Sequence, residues 1–333
     1  MPQPSPFLRS DFSSTYVSRD EDMAYRGGSF GFSYSPPPSE ISAPDTEAEV
    51  SIDALSHLGD LLDETKREQA LEALSRKRDT VSSLAVTLWN SVGVMTVLLQ
   101  EILSTYHLLL PPVLSSAQST RVNHALSLLQ VVAAHPKTKM LLLEANIHLY
   151  LFPFLATHTQ SKPFEYLRLS SLAVIGALLK SDLPIVVPLL LKTEIVPLCL
   201  RIMDSCQITA RTVATFTIHR IISEDAGLAY VTTSADRFAT LHKILRQNAK
   251  ILLAKRDPVP QEQERVRKDD SDYQLMRLLL RCWTKLAENA EAATFLRNGQ
   301  LPFEIVSGSV VAAFAGDRSV AKYQKLLLEL TGL

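Results

Sequence analysis

The chain has 333 residues, 46% of them hydrophobic, and a net charge of −1. This leaves room for a large apolar core in one to three domains and removes the global basic field of a general nucleic-acid or membrane-surface binder. Three cysteines (Cys199, Cys206, Cys282) with no CxxC pair exclude a disulfide framework or a cysteine-based zinc site and fit a reducing compartment.

Residues 1–48 are dominated by Ser, Pro, Gly, Tyr and Asp. They cannot bury enough apolar surface to offset their ordering entropy, so a disordered low-complexity tail is expected. Its Ser-Pro steps allow a docking or phosphorylated segment, and plain disorder accounts for it as well. The first residues lack the basic start and apolar stretch of a signal peptide, and no apolar run is long enough to span a bilayer, so an intracellular, non-membrane protein is expected.

From Ile52 the apolar residues recur at helical spacing, starting with Leu55, Leu58, Leu61 and Leu62. The segment 68–78 ends in basic residues suited to a helix C-terminus. Leu84 to Leu103 reads as one long apolar helix, and Pro111-Pro112 punctuates the chain before a helix from Ser115 to Ala134. Two short helices (138–145, 147–156) precede the most apolar stretch, Pro163 to Asp182. There Phe164, Leu167, Leu169, Leu172, Val174, Ile175, Leu178 and Leu179 surround the axis, which predicts a helix buried on more than one side. Ser170, Ser171, Ala173, Gly176 and Ala177 keep it slim, Gly176 being expected to serve close packing, and Tyr166 and Arg168 are its polar handles. Short helices at 183–191 and 195–203, a long one at 208–223, a short one at 227–232 and a long one at 235–253 follow. A polar loop spans 255–272, then come a long helix (273–288) and a short one (291–298). No stretch alternates as a strand does, so the fold class is all-α.

The segments beginning at His135, Ser181 and Ser223 repeat one pattern: a polar turn, a short apolar helix, a break, a second helix and a long third one. The spacing, about 40–47 residues, is that of armadillo and HEAT arrays, which stack into a right-handed superhelix with a concave groove. The groove helices are expected to begin near Ser115, Pro163, Ile208, Ala235 and Tyr273. The expected domain runs from 52 to 331.

No nucleotide-binding, nucleophile-elbow or metalloprotease motif is present. The eight histidines lie on separate elements, and His219 is read as a polar groove residue rather than a ligand. Glu224-Asp225 and Asp269-Asp270 read as helix caps or solvated charge. No catalytic residue, cofactor or metal site is indicated. Trp89 is either a core residue or a partner-facing anchor. Arg168, Arg201, Arg211, Arg220, Arg237, Lys243 and Arg246 form either solvated faces or a phosphate-tracking stripe. The stripe carries the alternative function: a transcriptional cofactor contacting single-stranded nucleic acid through Arg211, Arg220 and Arg237. A generic armadillo scaffold is a further alternative.

The blocks LWNSVGVMTVLLQEI, QSTRVNHALSLLQVVAAHP, LYLFPFL, KPFEYLRLSSLAVIGALLK, TEIVPLCLRIM, TVATF, GLAYV and RF occur in one order. Together they resemble the Rcd (required for cell differentiation) family, the armadillo-repeat subunit of the Ccr–Not deadenylase complex, over about residues 65–298. The resemblance implies about six repeats without catalytic activity, acting in mRNA deadenylation, decay, translational repression and RNA-mediated silencing. It implies a cytoplasmic location, including P-bodies, and a nuclear one. By the same resemblance the large Not scaffold meets Trp89, Asn90, Val92 and Thr96. Short helical peptides of RNA-binding adaptors meet a groove of Tyr166, Leu169, Ala173, Thr212 and Val213, and tryptophan pockets lie near Pro163 and Arg237. The chain departs from the family pattern at Asn90 and Val92 (commonly His and Phe), at Ala173 (commonly Gly), at Glu291 (basic in animal members) and after Asn298. Whether it forms a homodimer is left open.

Overall fold

The computed structural model describes residues 56–254, 271–314 and 317–333. The tail at 1–48 and positions 255–270 of the expected loop lie outside the described residues; Ser271 and Asp272 already belong to a helix. No strand occurs among the described residues, and the helices form an armadillo-like array.

A hairpin of α1 (56–62) and α2 (Arg67–Arg76) precedes five three-helix units. The first holds α3 (Leu84–Asn90), α4 (Val94–Leu103) and α5 (Ser116–Ala134). The second holds α6 (Pro136–Glu144), a 3-10 turn (Ile147–Leu151) running into α7 (Phe152–Leu155), and α8 (Lys162–Leu178). Next come α9 (Leu183–Leu190), α10 (Ile195–Ser205) and α11 (Ile208–Ile222). The fourth unit is α12 (Asp225–Thr232), α13 (Ala235–Ala254) and α14 (Ser271–Leu286). The last is α15 (Ala290–Phe295), α16 (Phe303–Val306) with α17 (Ser309–Ala313), and α18 (Arg318–Thr331).

Local sequence sets these boundaries. Ser115 and Gln118 form a reciprocal capping box on α5, and Asn289 and Asp317 cap α15 and α18 through their side chains. Prolines occupy the first turns of α6, α8 and α9, where a missing N–H leaves no helical bond unmade. Between helices the chain turns through left-handed positions at Gly93, Asn146 and Asp182.

The third helices form one ladder: α2 packs on α5, α5 on α8, α8 on α11, α11 on α14 and α14 on α18. In an armadillo array this row lines the concave side. The starts of α5, α8 and α11 are 46 residues apart, and those of α14 and α18 are 47 apart. One apolar core runs the whole length, from Leu58 to Leu327. Each fully buried Leu or Ile in it contributes roughly 1.5–3 kcal/mol. Polar ties then fix one unit against the next. Ser119 Oγ donates to the Pro163 carbonyl (2.8 Å), Lys139 Nζ to Asp182 Oδ2 (2.9 Å), and Asn248 Nδ2 to the Met203 carbonyl (3.0 Å).

Two expectations change. Leu84 to Leu103 is not one helix, because Gly93 at φ 83° breaks it and the two parts bend by 89°. The helix starting at Ala235 is not a groove helix. α13 packs on α10, α12 and α14, as the second helix of its unit, while α11 meets α14 directly. Its length suggested the inner row, but packing partners, not length, decide the row. Among the described residues no single helix is long and apolar enough to cross a membrane.

Candidate functional site

On one face of α8 burial is less complete at positions that recur at helical spacing. Tyr166 is half-buried, Leu169 and Ala173 retain slight exposure, and Gly176 is again half-buried. On α11 the matching stripe is Val213, at 8% exposure, and half-buried Phe216. A Cβ built on Gly176 would lie 3.8 Å from Phe216 Cε1, so the Phe216 ring rests beside the glycine across the α8–α11 seam. That is ordinary contact, and close packing is therefore not why position 176 is small. Gly176 and Phe216 thus meet across the seam, and by helix spacing Ala173, Leu169 and Tyr166 on α8 and Val213 on α11 fall on the same faces as these two. Thr212 does not join them. Its exposure is 1% and its hydroxyl donates to the Ile208 carbonyl (2.8 Å), so it faces inward. Phe216 and Gly176 were legible as the next i+3 steps after Val213 and Ala173.

A second surface lies at the α3–α4 bend. Trp89 is half-buried and packs against the core with part of its ring still exposed, whereas Asn90 and Thr96 are exposed and Val92 is 92% exposed. On α4 the stripe continues through half-buried Leu99 to Leu103, at 40% exposure, one turn-pair beyond the expected residues. Thr96, Leu99 and Leu103 share one face of α4 at i, i+3 and i+7, and Val92 projects from the bend that precedes it.

Pro163 and Arg237 are on different rows. Pro163 is in the first turn of α8 with its carbonyl held by Ser119. Arg237, on α13, donates to the Tyr230 carbonyl (3.1 Å) and lies 4.0 Å over the Tyr230 ring. Nearby, Phe238 and Phe295 meet edge-to-face at 5.2 Å, and Trp283 Nε1 donates to His242 Nδ1 (3.3 Å). Glu291 stands exposed in the first turn of α15, where a carboxylate suits the helix dipole.

Four of the arginines proposed as a phosphate stripe, Arg168, Arg211, Arg220 and Arg237, have structural attachments. Arg220 donates to the Leu179 and Lys180 carbonyls (both 3.0 Å) at the C-terminus of α8. Arg211 donates to the Cys206 carbonyl (2.6 Å), and it lies about 13 Å from Arg220 along α11. Arg168 is buried and holds Thr157. His219 is buried beside Arg281, Arg220 and Lys285; burial first, and those charges next, bring its pKa down to about 3, so it stays neutral. Burial pushes the Cys199 and Cys282 thiols up to about 12, which withholds the thiolate a nucleophile needs. Among the described residues no group of His, Cys, Asp or Glu could hold a metal ion.

The sequence profile of the cell differentiation family, Rcd1-like, matches residues 57–331. The chain belongs to the Rcd1-like cell differentiation family. The match takes in α15 to α18, where the motif resemblance stopped at 298. Cell differentiation protein rcd1 of Schizosaccharomyces pombe is 42% identical over 272 residues, 81% of this chain and 90% of that protein. Protein CAF40 of Saccharomyces cerevisiae is 44% identical over 232 residues, 70% of this chain and 58% of that protein. The family relation thus covers both candidate surfaces.

Proposed function

We propose that this Rcd1-like chain is a non-catalytic adaptor subunit of the Ccr–Not deadenylase complex. The stripe Asn90, Val92, Thr96 and Leu103 docks on the Not scaffold. The seam between α8 and α11 is a floor that takes short amphipathic helices of RNA-binding or silencing proteins, bringing deadenylation and translational repression to selected mRNAs in the cytoplasm, P-bodies and nucleus. A partner helix laid in a groove needs apolar anchors to meet small, apolar floor residues, with a polar ring to orient it. The observation that carries the reading is the partly exposed apolar seam where Gly176 of α8 meets Phe216 of α11, in line with Ala173 and Val213 on the same helix faces. The nucleic-acid alternative is not favoured at Arg220 and Arg237, whose guanidinium groups hold the backbone carbonyls of Leu179, Lys180 and Tyr230.

Affinity capture of the full chain tests the reading. The wild type should bring down Not-scaffold and deadenylase subunits, and Val92→Glu, a change at a fully solvated position, should lose them with an unchanged melting temperature. Capture of neither subunit by the wild type would sink the proposal.

A further inference from the structure

About 17 Å along α13 from Arg237 lies a cavity of about 170 Å³, between the last turns of α13 and the first turns of α11 and α14. Its size is too small for a cofactor, and close to that of cavities that hold a benzene-sized group. Ile208, Ile251, Leu252 and Leu275 form its apolar wall, and Arg211 and Asn248 its polar side. Asn248 is 2% exposed, and its Nδ2 donates to the Met203 (3.0 Å) and Ile244 (2.9 Å) carbonyls. Those two bonds fix its Oδ1 toward Arg211 Nη1 (3.4 Å), while Arg211 Nε donates to the Cys206 carbonyl (2.6 Å). Both partners of the guanidinium are neutral, and among the described residues no carboxylate pairs with it. A positioned guanidinium whose charge no carboxylate among the described residues matches favours an anion, in the fork geometry that suits a carboxylate. The neighbouring α11 terminus carries no side-chain cap, which adds to the same preference.

We infer that this cavity is a binding site for the free C-terminal aliphatic residue of a partner peptide. The side chain fills the isoleucine–leucine wall and the terminal carboxylate meets Arg211. The site is independent of the α8–α11 floor and of the α3–α4 stripe. An internal acidic side chain would fill the apolar wall poorly, and a phosphodiester would leave it uncovered.

Methyl-labelled full-length chain titrated with N-acetyl-leucine tests this by NMR, with N-acetyl-leucinamide as the uncharged control. The expected result is saturable shifts confined to the methyls of Ile208, Ile251, Leu252 and Leu275, at least tenfold weaker with the amide. Arg211→Gln should weaken N-acetyl-leucine at least tenfold and leave the amide unchanged, with Arg211→Lys in between. Absence of saturable shifts, equal binding of acid and amide, or stronger shifts from a single-stranded oligonucleotide would overturn the assignment. Should Arg211→Gln lose its dispersed methyl spectrum, the acid–amide comparison on the wild type decides.

Discussion

Gly176 is where a single side chain separates groove from core. The position is half-exposed, and the nearest atom to an added Cβ is Phe216 Cε1 at 3.8 Å. Gly176→Leu should therefore keep the fold, gain up to about 1 kcal/mol from helix propensity, and fill the floor. Fluorescence titration with an amphipathic adaptor helix should show at least tenfold weaker binding; unchanged affinity with an intact melt would remove the floor as a peptide site. His148 carries a different prediction. It is buried, neither ring nitrogen has a hydrogen-bond partner among the described residues, and burial lowers its pKa to about 4. The unfolded imidazole titrates at about 6.5, so the contribution is fully present above that pH. As pH falls from 6.5 toward 4, the unfolded chain takes up a proton the native one refuses, at about 1.4 kcal/mol per pH unit. Urea melts between pH 7 and 5 should show that slope reduced in His148→Leu, with neutral-pH stability higher by about 1 kcal/mol. Residue identity did not reveal the second effect: a histidine in Ile147–Leu151 reads the same whether or not its nitrogens find partners.

At the scale of elements, the bend between α3 and α4 decides whether Val92 reaches solvent. Gly93 has a left-handed φ of 83°, and a Cβ there would come 3.3 Å from Leu62 Cδ2. Gly93→Ala should cost about 1–2 kcal/mol in chemical denaturation and loosen the corner. The scaffold affinity of Gly93→Ala should then fall more than that of the conservative Val92→Ile. Helix α8 was legible from its apolar girth and its opening proline. The α3–α4 break was not, because the apolar residues run on through Asn90 and Val94 with no loss of period; only Gly93 marked it. The role of α13 was illegible for another reason. A 20-residue helix with an apolar stripe fits either the second or the third place in a unit, and only packing on α10, with α14 rather than α13 taking the place against α11, separates them. Thr212 fell to a similar ambiguity: neighbouring positions on one helix, 212 and 213, differ by 100° in direction.

Across the whole molecule, stability is a chain of nearest-neighbour interfaces, as in other repeat arrays. Three of the four intervals between successive third helices, from α5 to α18, are 46 or 47 residues, but α11 and α14 start 63 apart. That surplus falls within α13 and the segment 255–270, which is why the period looked irregular in the sequence. The last interface caps the row: α18 covers α14, and Arg277 on α14 pairs with Asp317 at 2.9 Å. Removing residues 317–333 should expose the buried face of α14, lower the thermal midpoint by several degrees and promote self-association, as circular dichroism and light scattering would register. An unaltered melt would show that the array ends functionally at α14.

Helix α8 is clamped at both ends. Ser119 of α5 holds the Pro163 carbonyl at its start, and Arg220 of α11 holds the Leu179 and Lys180 carbonyls at its finish. A rod pinned at both termini by its two neighbours can neither roll about its axis nor slide along it. The floor is thus a stiff mould, and nearly all the ordering entropy of association falls on the incoming peptide. Partners already helical in isolation should bind best, and a hydrocarbon staple on the solvent side of such a peptide should raise affinity without adding a single contact to this chain.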